Sequence, residues 1–111
     1  MLRKWVTVAI AAIAVFLFSM GNTALAGDAA QGKMVFGTNC ASCHLNGKNV
    51  VNAAKTLSKA DLEKYGMFDE EAIINQVTNG KMAMPAFRGR LSAEEIENVA
   101  AYVLEQAEAG W

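Results

Sequence analysis

Two cysteines and the chain's only histidine stand together in the segment Cys40-Ala41-Ser42-Cys43-His44. This is the Cys-x-x-Cys-His sequence that attaches a c-type haem. Two thiols at this spacing can add to the two vinyl groups of the macrocycle, and the adjacent imidazole is held under the iron as an axial ligand. The motif therefore predicts one haem c per chain, covalently bonded to Cys40 and Cys43 and ligated by His44.

Three other uses of the cysteine pair fit the sequence less well. A structural zinc site needs about four Cys or His ligands, and the chain has two cysteines and one histidine. A thioredoxin-like redox pair requires a βαβ setting, which the pattern of apolar residues does not indicate. A disulfide between Cys40 and Cys43 would close a very small loop, stabilise little and leave His44 without a role.

Because His44 is the only histidine, a second histidine ligand from the chain is excluded. The second axial ligand is then a methionine, a lysine or an amine, or the position has no ligand. Met82 and Met84 lie in a predicted loop over residues 80–91, and a thioether is a soft, neutral ligand that favours iron(II). Pro85 restricts the residue before it to extended backbone, which can hold one side chain in a fixed direction. We therefore predict Met84 as the ligand, with Met82 as the alternative.

Residues 1–26 have the form of a secretory signal, with a basic start, an apolar run over residues 6–20 and the small-residue site Ala24-Leu25-Ala26. The apolar run is shorter than the ~20 residues that a spanning helix needs, which argues against an uncleaved anchor. We expect cleavage before Gly27. The mature domain, residues 27–111, should then have no stable membrane insertion.

The charge of the mature chain is mildly acidic. All 11 Asp and Glu residues lie after residue 27, and two of the 10 Lys and Arg residues leave with the signal. The resulting excess of negative charge makes nucleic acid an improbable class of partner.

Capping signals divide residues 27–111 into four or five helices, and no alternating apolar pattern predicts a sheet. Helices are expected from Asp28 to about Asn39, from Lys59 to Tyr65 after a cap at Ser58, from Asp69 to Gly80, and from the capping box of Ser92 and Glu95 onward. Core positions are expected at Met34 and Met67, and Val50 and Val51 are expected to turn inward. The predicted class is all-α, packed around a large apolar cofactor.

Several further segments carry a specific resemblance: Gly47-Lys48-Asn49-Val50-Val51, Lys55-Thr56-Leu57, Ala83-Met84-Pro85-Ala86-Phe87, Gly89-Arg90-Leu91-Ser92, Ile96-Glu97-Asn98-Val99-Ala100-Ala101-Tyr102-Val103-Leu104 and Gly110-Trp111. With the haem motif they make the chain resemble the cytochrome c6 family of cyanobacteria and algae over nearly all of residues 27–111. The resemblance implies a class I cytochrome c fold. In that fold the first and last helices cross, with Gly32 and Phe36 facing Val99 and Tyr102.

The resemblance also implies a function. It is that of a one-electron carrier, not an enzyme, which takes electrons from cytochrome f of the cytochrome bf complex and gives them to photosystem I in the thylakoid lumen or periplasm. Cytochrome oxidase is a possible second acceptor. The alternatives are a related c-type carrier serving a respiratory oxidase or another redox partner, and a haem sensor or enzyme with an open distal site.

Two residues depart from the pattern of that family. Met82 stands where the family usually has a polar residue, and Arg88 replaces a usual glycine beside Arg90. An arginine matching Arg90 is implicated in docking to the photosystem in that family. The alternative for both arginines is an ordinary solvated charge, which contributes little to stability.

Overall fold

The computed structural model describes residues 27–111, which form five α-helices and one 3-10 turn. The helices are α1 (Ala29–Asn39), α2 (Ala41–His44), α3 (Lys59–Lys64), α4 (Glu70–Asn79) and α5 (Ala93–Ala109), and the 3-10 turn is Leu45–Gly47. Within the described part of the chain, β-type pairing is limited to two isolated bridges, Lys81–Met84 and Arg88–Leu91. The all-α prediction is confirmed. The expected signal sequence over residues 1–26 lies outside the described residues.

Four helices begin at the capping residues that the sequence predicts. The Asp28 carboxylate accepts hydrogen bonds from the backbone N–H groups of Ala30 (2.9 Å) and Gln31 (3.2 Å) at the start of α1. Ser58 and Asp69 cap α3 and α4 in the same way. At the start of α5, Ser92 and Glu95 exchange both bonds of a capping box, at 3.0 and 3.1 Å. Each cap satisfies backbone donors that have no partner within the helix.

Helices α1 and α5 cross in close contact at Gly32. A Cβ atom at Gly32 would lie 2.9 Å from the Cβ of Tyr102 and would collide with the backbone carbonyl of Asn98. The absence of a side chain therefore lets the two backbones approach. One turn later the rings of Phe36 and Tyr102 pack with centroids 5.2 Å apart, as the resemblance implied.

A buried asparagine adds a polar contact to this crossing. Asn98 is 5% exposed, and its side-chain oxygen accepts a hydrogen bond of 2.8 Å from the backbone N–H of Asp28. This contact fixes the first turn of α1 on the middle of α5.

The hydrophobic core receives side chains from α1, α3, α4, α5 and the loop after α4. Its buried members are Phe36, Leu62, Ile73, Val77, Phe87, Ile96, Val99, Ala100, Val103 and Ala107. Met67 packs against this core as expected. The expectation for Met34 is wrong, because its side chain is 74% exposed. Gly32 and Phe36 define the buried face of α1, and a residue two positions from each points away from that face.

Among residues 27–111, no helix combines the length and apolar character that crossing a membrane requires.

Candidate haem site

The cysteine motif occupies a tight turn at the end of α1. Cys40 links α1 to α2, and its backbone oxygen accepts hydrogen bonds from the N–H groups of Cys43 (3.2 Å) and His44 (2.9 Å). Both thiols are free. Cys40 is half-buried and packs against the core, whereas Cys43 is exposed. The turn therefore places two unpaired thiols and an imidazole on one short segment.

Burial, and to a smaller extent the neighbouring Cys43, raise the pKa of the Cys40 thiol to about 11. The thiol is therefore protonated at neutral pH. Redox-active Cys-x-x-Cys pairs have the opposite property, a lowered pKa that supplies a thiolate. The surroundings of Cys40 disfavour the thioredoxin-like alternative.

The imidazole of His44 is oriented by the backbone. Its Nδ1 lies 3.0 Å from the carbonyl oxygen of Lys48. A carbonyl oxygen can only accept, so Nδ1 carries the proton and donates it, and Nε2 keeps a lone pair for a metal. An outer hydrogen bond of this kind is the usual support of a metal-binding histidine.

The two candidate methionines have different surroundings in the loop after α4. Backbone hydrogen bonds of 3.0 Å join Lys81 and Met84 in both directions, so Met82 lies at the tip of a tight turn. Met82 has a positive φ of 54° and is 95% exposed. Met84 is half-buried and packs against the core. Its sulfur accepts a hydrogen bond of 3.6 Å from the side-chain amide of Gln76.

Gln76 is a residue of the site that was not predicted from the sequence. The position of Gln76 on α4 does not indicate a contact with Met84. The two side chains meet only because the loop after α4 folds back on the helix. Gln76 and Met84 are eight positions apart in the sequence, one before and one after the end of α4.

Apolar side chains lie exposed beside the motif. Leu45, Val50 and Val51 are 61%, 70% and 67% exposed, so Val50 and Val51 do not pack into the hydrophobic core of the polypeptide. The Asn49 side chain accepts hydrogen bonds of 3.0 Å from the N–H groups of Val51 and Asn52 and turns the chain at the surface. The N–H of Val50 donates to the Cys43 carbonyl at 3.0 Å, which keeps this apolar surface next to the thiols.

These donors fit a c-type haem by their chemistry. The two free thiols can form thioethers, the imidazole offers Nε2, and the thioether sulfur of Met84 is a second soft ligand. Cys40 and Met84 pack against the same core, although they come from separate segments. Within residues 27–111, no three His, Cys, Asp or Glu side chains gather into a group that could hold a metal ion by themselves.

Known proteins match both the sequence and the fold. A family model described as cytochrome c oxidase, cbb3-type, subunit III, matches residues 27–103. The cytochrome c6 of Nostoc sp. is 58% identical over 110 residues, which cover 99% of each chain. The chain belongs to the cytochrome c6 family.

Two further members of the family extend this similarity. The cytochrome c6 of Rippkaea orientalis is 72% identical over 88 residues, 79% of each chain. The structure of cytochrome c6 from the diatom Phaeodactylum tricornutum superimposes with a TM-score of 0.75 at 59% identity and covers 77% of this chain and 100% of its own. Membership of the family confirms the class I cytochrome c fold and supports a c-type haem and a role as an electron carrier of the photosynthetic type.

Proposed function

We propose that the chain carries single electrons from cytochrome f of the cytochrome bf complex to photosystem I. One haem c is bonded to Cys40 and Cys43, with His44 and Met84 as its axial ligands. The observation that carries the proposal is the donor set: two free thiols beside an imidazole whose Nδ1 is already engaged by Lys48. Met84 supplies the second ligand from a loop that packs against the same core as Cys40.

The haem supplies reversible one-electron exchange at its iron, and the chain's residues set how readily that exchange occurs. The carbonyl of Lys48 orients His44, and the amide of Gln76 donates to the sulfur of Met84. Leu45, Val50 and Val51 are exposed beside the motif. A haem bound there would lie against them, and that apolar contact would disfavour the more highly charged iron(III) state. With both axial positions filled by side chains, no site is left for a substrate, and the protein is a carrier and not an enzyme.

Two arginines near the Met84 loop provide fixed positive charge for brief encounters with partners. The guanidinium of Arg88 donates a hydrogen bond of 2.6 Å to the side-chain oxygen of Asn79. That of Arg90 lies over the Phe87 ring, 5.1 Å from its centroid. Local patches of this kind steer the small, transient interfaces of electron transfer. Cytochrome oxidase is a second acceptor that this surface could serve.

The compartment follows from the expected signal sequence. Cleavage before Gly27 would release residues 27–111 into the thylakoid lumen or the periplasm. The diatom structure supports this division, since its whole length matches 77% of the chain, about the share that residues 27–111 make.

The ligand assignment is tested by two matched substitutions. Oxidised haem with a methionine ligand has a weak far-red absorption band, and we expect Met84→Ala to abolish it and Met82→Ala to retain it. The two residues share a loop, so a general disturbance of that loop would affect both variants. The opposite pattern would assign the ligand to Met82.

The proposed acceptor is tested by flash kinetics with purified photosystem I. We expect the reduced protein to be oxidised after a flash, at a rate that falls as the salt concentration rises. Failure to react, together with rapid reaction with a respiratory oxidase, would favour the alternative carrier. Rapid binding of carbon monoxide to the reduced protein would instead indicate an open distal site.

A further inference from the structure

The C-terminal Trp111 packs on the loop that follows the haem motif. Its indole Nε1 donates a hydrogen bond of 2.7 Å to the carbonyl oxygen of Leu57. A Cβ atom at Gly47 would lie 2.5 Å from the indole ring, so the ring rests directly on the Gly47 backbone. The Trp111 ring also packs against two aromatic rings. Its centroid lies 5.4 Å from that of Phe36 and 6.0 Å from that of Tyr102.

Short backbone contacts connect Trp111 to His44. The N–H of Leu57 donates to the carbonyl of Gly47 at 2.7 Å, so the indole holds both partners of this bond. Gly47 has a φ of 73°, a left-handed conformation that suits glycine. Its conformation sets the direction of the next residue, Lys48, whose carbonyl accepts the Nδ1 proton of His44 at 3.0 Å.

We propose that Trp111 is a positioning residue for His44. By holding Gly47 against Leu57, the indole fixes the Lys48 carbonyl that orients the imidazole. The effect on the haem rests on the proposed function. The positioning of His44 by Trp111 does not, because the contacts between them lie within the protein chain.

The contact has an electronic consequence when His44 is a ligand. A hydrogen bond from Nδ1 to a carbonyl makes the imidazole a more basic ligand. A more basic ligand favours iron(III) and lowers the midpoint potential. If the contacts of Trp111 with Gly47 and Leu57 are lost, the Nδ1 proton of His44 should exchange faster with solvent. The midpoint potential should also rise.

The test compares Trp111→Phe with Ile96→Val in the haem-loaded protein. Trp111→Phe keeps an aromatic ring and removes the indole donor. Ile96→Val trims a buried side chain near the start of α5, 15 residues before Trp111, and so lowers stability without removing the indole. The hydrogen exchange of the His44 Nδ1 proton is followed by nitrogen-15 NMR in the reduced state, and the midpoint potential is measured by redox titration.

We expect Trp111→Phe to speed this exchange at least about fivefold, the factor that corresponds to one ordinary hydrogen bond, and to raise the potential. Trp111→Leu, which also removes the ring from Gly47, should shift both further in the same direction. Ile96→Val should change neither. Equal shifts in Trp111→Phe and Ile96→Val, or no shift in the Trp111 variants, would overturn the proposal.

The proton-exchange measurement also separates this proposal from the proposed function. A protein whose absorption shows no histidine–methionine haem would contradict the ligand assignment. The exchange rate of the His44 Nδ1 proton would still report whether Trp111 holds the Lys48 carbonyl.

Discussion

The amide nitrogen of Gln76 lies 3.6 Å from the sulfur of Met84. With Met84 as the proposed ligand, a donor directed at its thioether draws electron density from the sulfur, which then stabilises iron(III) less well. Outer hydrogen bonds to the ligands are one of the means by which a protein sets the potential of its haem. The Gln76 amide is therefore expected to raise the midpoint potential.

Gln76→Leu should lower the midpoint potential by roughly 20–60 mV, the electrochemical equivalent of one ordinary hydrogen bond. Redox titration measures the change directly. Asn75→Leu is the matched control, because Asn75 is the exposed neighbour on the same helix and its side chain makes no contact with Met84. An equal shift in both variants would mean that the Met84 sulfur is not the group affected.

The sequence was enough to predict Met84 rather than Met82 as the haem ligand. It did not reveal the structural difference between the two side chains. Pro85 favours Met84 by restricting its backbone. The structure adds that Met82 is 95% exposed at the tip of a turn, whereas the Met84 sulfur has a hydrogen-bond partner. That partner could not be predicted, because it depends on how the loop folds back on α4.

At the scale of elements, features set by neighbouring residues were predictable and features set by packing were not. Asp28, Ser58, Asp69 and Ser92 cap their helices because the donors they satisfy lie within three residues. The bond between Asp28 and Asn98 joins residues 70 positions apart, and no local pattern indicates it.

The crossing of α1 and α5 depends on the missing side chain at Gly32. Gly32→Ala should lower the free energy of unfolding by about 1–3 kcal/mol, the usual cost of overpacking, because the new methyl group meets the backbone of Asn98. Gly37→Ala is the control on the same helix. It has no atom within 4 Å of the added Cβ and should raise stability by roughly 0.5–1 kcal/mol. Chemical denaturation of both variants measures the difference, and similar losses would contradict the role of the crossing.

The segment before α3 makes stability depend on pH. Asp61 accepts hydrogen bonds from the hydroxyl (2.5 Å) and the N–H (3.1 Å) of Thr56, and these bonds lower the pKa of Asp61 below its ordinary value of 3.8. Because the pKa is lower in the folded state, the stabilisation is complete above the unfolded value and is lost as pH falls through the folded one.

Asp61→Asn should therefore be less stable than the wild type at neutral pH, and the difference should shrink as the pH falls below 3.8. Thermal unfolding at a series of pH values measures the difference. Glu63→Gln, at an exposed position of the same helix, is the control and should stay close to the wild type throughout. A difference for Asp61→Asn that is independent of pH would assign the effect to packing.

The whole molecule combines a small core with an apolar surface beside the motif. Domains of this size often depend on a staple such as a disulfide, a metal or a cofactor. Here both cysteines are unpaired, and Leu45, Val50 and Val51 are more than half exposed. The class of the fold follows from the helical pattern and the resemblance. The expected dependence on haem rests on the exposed apolar side chains of Leu45, Val50 and Val51, which a bound haem would cover.

Removal of the two thiols should therefore weaken the entire fold. The double variant Cys40→Ser, Cys43→Ser should carry no haem through denaturing electrophoresis. It should also bind a hydrophobic dye more strongly and unfold roughly 10–30 °C lower than the wild type, because covering apolar side chains of this kind contributes a few kcal/mol. Ser42→Ala, at the exposed variable position of the motif, should keep the haem and the stability of the wild type. A double variant that lacks haem and unfolds at the wild-type temperature would show that the helices are stable without a cofactor.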